Sequence, residues 1–180
     1  MGYTTEFEGK FTFDKNLDKE TFTLLKGLSE TRRMKRRIDD VYGVDGEFYV
    51  GGGGFYQSEN RHDTIVDNNN PPSTQPSLWL QWAPSATGKH LEWDGGEKFY
   101  NYIEWLEYII EKVLIPNGYK LNGEVKYYGE EFDDKGTITI IDNDITVNSK
   151  KGFVYYNDRK ISIDKFNEIK KEFVDKYWKK

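Results

Sequence analysis

One twenty-residue stretch limits the fold more than any other. Residues 91–110 read LEWDGGEKFYNYIEWLEYII, a ring-rich segment in which two glycines precede a strongly amphipathic pattern. Phe99, Ile103, Leu106, Ile110 and Val113 recur at spacings of three and four, which predicts a helix from about 97 to about 114 with one face in the core. Trp105 and Tyr108 widen that face, and Pro116 and Gly118 supply the expected stop. Only 36% of the chain is hydrophobic while 16% is aromatic, so the core is expected to be built from large rings.

The flanking segments read as strands. Residues 5–13 alternate with Phe7, Phe11 and Phe13 on one face. Asp18 follows as an N-cap, with Leu17 and Phe22 as a hydrophobic staple for a helix carrying Phe22, Leu25 and Leu28 inward despite Gly27. The basic run 32–37 is expected to continue that helix and to favour its C-terminal dipole. Residues 46–51 read as a second strand, and 78–82 with 90–93 as a hairpin placing Trp79 and Leu91 in the core. Strands then follow at 123–129, 137–141 and 145–148, the last two joined by a tight turn at 142–144. The 55–77 stretch, with Asn68-Asn69-Asn70-Pro71-Pro72 and Pro76, is expected to be a long loop.

The fold class expected from this order is α+β: an antiparallel sheet with helices on one face, in a ferredoxin-like β-α-β-β-α-β core over residues 1–148. Residues 149–180 add a hairpin around Asn157-Asp158 and a helix capped by Asp164, with Phe166, Ile169, Phe173 and Tyr177 on its apolar side. They are expected to pack on the same domain.

Several function classes drop out. The chain has 0 cysteines, which excludes disulfides, thiolate zinc sites and cysteine nucleophiles. Its 26 basic and 31 acidic residues give a net charge of −5, so no general attraction to phosphate backbones is expected. The N-terminal residues lack a basic stretch and an apolar run, and no window nears the length of a membrane span. A cytoplasmic protein with no membrane partner is the expectation.

Five segments together carry a resemblance: SETRRMKR at 29–36, YGVDGEFYVGG at 42–52, LWLQW at 78–82, EWDGGEKFYNYIEWL at 92–106 and NGEVKYYGEE at 122–131. The chain to about residue 148 resembles a family of uncharacterised proteins encoded by tailed phages, prophages and large viruses. The resemblance implies a viral or mobile-element origin, hence the cytoplasm of a host cell, and brings no catalytic residues or cofactor with it.

Candidate chemistry is sparse. The glycine run 51–54 lacks the Gly-Lys-Ser/Thr that a phosphate loop requires and reads as a turn. The acidic group at Glu130, Glu131, Asp133 and Asp134 ends in a turn signature and lacks the spacing of an EF-hand. No cofactor and no resident metal are expected. The preferred reading is a non-enzymatic accessory protein that binds a host or phage protein through Tyr56, Trp82, Trp93, Tyr127 and Tyr128, with core duty as the rival explanation for these rings. One alternative is a metal-assisted hydrolase using Asp63 or His62 with Glu92 or Asp94 near the mouth of the sheet. Another is a nucleic-acid binder using Arg32, Arg33, Lys35, Arg36 and Arg37.

Overall fold

A computed structural model describes residues 2–51 and 61–177 of the 180-residue chain. The chain is α+β. Strand β1 spans Thr5–Phe13 and turns Phe11 and Phe13 inward while Glu6, Glu8, Lys10 and Thr12 face out. Helix α1, Lys19–Glu30, starts where Asp18 accepts the Thr21 amide at 2.7 Å, as its short acidic side chain predicts. Gly27 is a helix weak point with a packing reason. A Cβ there would lie 2.7 Å from Val50 Cβ, so only glycine lets the 44–50 segment press this closely on α1.

The helix stops at Glu30, with Thr31 extended, so the basic run does not continue it. Instead Lys35–Arg36 forms a short strand β2 that pairs with β3, Ile65–Asp67. Residues 46–51 are no strand either: two 3-10 turns, Asp40–Tyr42 and Val44–Gly46, lead into an irregular segment. The 61–77 part of the long loop carries a 3-10 turn, His62–Thr64, besides β3.

The hairpin comes next, with β4 at Trp82–Pro84 and β5 at His90–Trp93. It buries Leu91 as expected, whereas Trp79 precedes the strand and remains 39% exposed. Helix α2 spans Tyr102–Ile109, opening later than the periodicity predicts because Lys98 and Asn101 take left-handed φ of 58° and 56°. It runs on through a π turn, Ile110–Leu114, and a 3-10 turn, Ile115–Asn117, to Gly118 at φ 72°. Strands β6 (Leu121–Gly129), β7 (Lys135–Ile141) and β8 (Asp144–Ser149) follow. The Asp142-Asn143 turn has φ of 48° and 73°, the twist a two-residue hairpin demands. The chain ends in hairpin β9 (Phe153–Tyr156) and β10 (Arg159–Ser162) and helix α3 (Ile163–Tyr177). There Ser162, not Asp164, accepts the first-turn amide, that of Lys165, at 3.2 Å.

Among the described residues the main sheet has strand order β4-β5-β1-β6-β7-β8, antiparallel throughout. Taken as β6-β1-β5-β4 with α1 and α2 between, its first part has the strand order of the β-α-β-β-α-β core expected from the sequence, with the hairpin supplying both middle strands. Tyr and Phe rings bind the layers. Phe7 sits 5.0 Å from both Trp82 and Tyr102 and 5.8 Å from Phe99, edge to face. The outer face of the sheet is polar: Glu8 pairs across from Lys126, Lys10 from Glu124, and Thr139 from Thr146.

Candidate functional site

The five basic residues of the 32–37 run do not make a phosphate-binding surface. Arg33 is buried; its Nη1 donates to Tyr49 O at 2.7 Å, its Nη2 to Glu47 O at 2.8 Å and its Nε to Gln75 Oε1 at 3.1 Å. Desolvation pulls its pKa down to about 10, so it is still a cation at neutral pH. Arg36 is buried as well, with Cζ 4.0 Å from the Tyr49 ring centroid and Nη1 donating to Thr64 Oγ1 at 2.9 Å. Arg32 donates to Asn68 O at 3.1 Å, and Lys35 pairs with Asp45 at 3.5 Å. Of the five only Arg37 is exposed.

These cations organise the loops. Around Arg33, the buried Glu47 carboxylate accepts Thr74 Oγ1 at 2.7 Å and Tyr108 OH at 3.0 Å, and Gln75 Nε2 donates to Tyr108 OH at 2.9 Å. Desolvation raises the Tyr108 pKa, so the phenol keeps the proton it donates. The 61–77 segment is thereby tied to α2 and the 44–50 segment through buried polar groups.

The hydrolase candidates are not assembled into a metal site. His62 and Asp63 sit in an exposed 3-10 turn beside β3, Glu92 on β5, and Asp94 just beyond it, where Oδ1 accepts the Gly96 amide at 2.7 Å. Partial desolvation raises the Asp94 pKa against that bond. Among the described residues no group of three or more His, Asp or Glu side chains converges to hold a metal ion.

The five contact candidates separate by face. Trp82 is 0% exposed and donates Nε1 to Tyr102 O at 2.9 Å, so it is a core ring and offers a partner nothing. Trp93 is half-buried, its indole N–H shared between Gln81 Oε1 and Gly96 O, each at 3.2 Å. Tyr128 is exposed on the outer sheet face, with its OH 3.3 Å from Glu8 Oε2. Tyr127 is buried, yet it forms part of the wall of a cavity. Tyr56 lies outside the described residues.

That cavity is the largest concavity among those described, a groove of about 540 Å³ between the start of α2, the adjoining ends of β6 and β7, and the β9–β10 hairpin. Its size is in the roughly 300–1,000 Å³ range of ligand pockets. The rings of Tyr100, Tyr102, Tyr127, Phe153 and Tyr155 wall it. Burial raises the pKa of Tyr102 and Tyr127, so both remain neutral phenols. Between the rings lie the carboxylates of Glu104, Asp134 and Asp158 and the ammonium of Lys151. Lys98 and Asn101, both left-handed, bracket Tyr100 at the rim. Among these residues the sequence marked Tyr127 as a contact candidate and weighed Asp134 only as part of an acidic turn. The others come from three separated segments, and the one signal in advance was ring density at 99–105 and 153–156.

A second polar cluster lies under α3. The buried Lys170 ammonium is in ion-pair contact with Glu107 and 3.2 Å from Tyr156 OH, which itself donates to Glu107 at 2.8 Å. Its Nζ also stands 5.0 Å from the Tyr156 ring centroid and 5.7 Å from that of Phe166.

No family model matches the chain, and no curated protein or solved structure matches it. Among the described residues no helix is long and apolar enough to cross a membrane.

Proposed function

We propose that this chain is a non-enzymatic accessory protein that binds a host or viral protein through the groove between α2 and the β9–β10 hairpin. The observation that carries the reading is the aromatic wall of that groove. Tyr155 is 67% exposed and Tyr100 48%, although rings of this size normally gain free energy by burial, and both stand at the lip of a preformed concavity. Exposed tyrosines around a pocket are what a protein interface uses as anchors, since they bury large area for few frozen torsions. The phage or prophage setting comes from the sequence resemblance described above.

The test is a photo-crosslinking amino acid at position 155, used in lysate of the cognate host with and without nuclease. A stoichiometric protein adduct that survives nuclease, re-forms with the purified partner and loses affinity about tenfold or more in Tyr155→Ala supports the reading. An association that needs nucleic acid, or one indifferent to Tyr155 and Tyr100, overturns it.

A further inference from the structure

We propose that the groove receives a cationic side chain of the partner, an arginine in the first instance; this rests on the binding reading above. Three carboxylates line the groove against one ammonium: Lys151 is in contact with Glu131 and lies 3.7 Å from Asp133, while Asp134 accepts the Tyr3 hydroxyl and Glu104 also feels the buried Lys170 ammonium behind it. The groove is therefore net acidic inside an aromatic wall.

Glu104 sharpens the demand. It is 8% exposed, and its Oε1 accepts the Asn157 amide at 2.9 Å and Asn101 Nδ2 at 3.4 Å, while among the described residues no donor meets Oε2. A carboxylate fixed by these two donors at the groove wall gains more from a charged donor than from a neutral one. The Asp158 carboxylate, at the tip of the β9–β10 turn, likewise meets no donor among the described residues.

The rings suit the same ligand. Tyrosine and phenylalanine faces carry negative quadrupole and attract cations within about 6 Å. Phe153 displays this within the protein, since Lys160 Nζ sits 3.8 Å from its centroid. A guanidinium suits this lining best, because it is planar enough to stack on a tyrosine ring and its fork of N–H groups matches a carboxylate. An anionic side chain would meet repulsion from the lining carboxylates, and a wholly apolar one would desolvate them without supplying a donor.

The experiment uses the full chain and three capped tripeptides, Gly-Arg-Gly, its citrulline counterpart and Gly-Glu-Gly, followed by amide NMR shifts. Citrulline keeps the length and planarity of arginine without the charge. The expected result is saturable shifts at residues 100–104 and 153–158 with the arginine peptide, at least about fivefold weaker binding of the citrulline peptide, and none of the glutamate peptide. Affinity should fall with added salt. Asp158→Asn suits the left-handed position and should weaken arginine binding about threefold, with the remaining spectrum unmoved. Equal binding of the arginine and citrulline peptides, or binding of the glutamate peptide, overturns the cationic assignment and leaves the groove as a binding site. Absence of groove shifts with every peptide also overturns it, and the crosslinking result then decides the binding reading independently.

Discussion

Lys170 places two forces in direct competition. Burial among rings brings its pKa down to about 8, while the Glu104 carboxylate acts in the other direction and Glu107, in contact, adds to that opposition. Glu111 and Asp144 border the same small cavity of about 140 Å³. If desolvation wins, the unfolded chain binds more protons than the folded one between about pH 8 and the ordinary lysine pKa, so stability rises with pH across that window. We expect urea midpoints measured from about pH 7.5 to 9.5 to climb more steeply for the native chain than for Lys170→Met, by at most about 1.4 kcal/mol per pH unit. Parallel slopes would mean that the carboxylates hold the proton and burial loses. Measurements stop short of pH 10 because Tyr102, Tyr127 and Tyr156, raised by burial, contribute the opposite slope above it.

At the level of elements, what the sequence expresses through local periodicity was legible, and what depends on distant polar partners was not. The alternation in β1, the cap at Asp18, the apolar face through Ile103, Leu106, Ile110 and Val113 and the Asp142-Asn143 turn all rest on neighbours within a few residues, whereas Phe99, assigned to the same helix, lies before it in an irregular segment. The 32–37 run is different. Its charge pattern fits an exposed helix end, and its burial depends on Glu47, Tyr49 and Gln75, which no spacing connects to it. The same network explains why 46–51 does not pair as a strand, since the carbonyls of Glu47 and Tyr49 are committed to Arg33. Arg33→Met should therefore destabilise the chain by about 3 kcal/mol, by removing one charged donor group from several buried acceptors. Arg37→Gln, at an exposed position, should stay within about 0.5 kcal/mol. Denaturant midpoints give both values, and a large loss for Arg37→Gln beside a small one for Arg33→Met would return the cluster to surface duty.

For the molecule as a whole, the C-terminal segment covers the β8 end of the sheet. A split β-α-β core needs only α1 and α2 to cover four strands, yet here β7 and β8 extend the sheet and present Ile138, Ile140, Ile145 and Val147 on the helix side. Helix α3 packs on β8, and Phe166 and Val154 belong to the same apolar cluster as the central rings. The Asn167 side chain accepts the Val147 amide at 3.0 Å and donates to its carbonyl at 3.2 Å, closing an edge that would otherwise offer free backbone groups. The candidate groove depends on the same docking, because the β9–β10 hairpin supplies one of its walls. Deleting residues 150–180 removes that cover at a cost of about 1.5–3 kcal/mol for each aliphatic side chain left bare, which taken together rivals the whole stability of a domain. We expect the truncated chain to lose its cooperative thermal transition, to bind a hydrophobic dye, and to lose slow hydrogen exchange in β7 and β8 first. A truncated chain that melted as sharply as the full one would show instead that the six-stranded sheet with α1 and α2 stands without α3 and the β9–β10 hairpin.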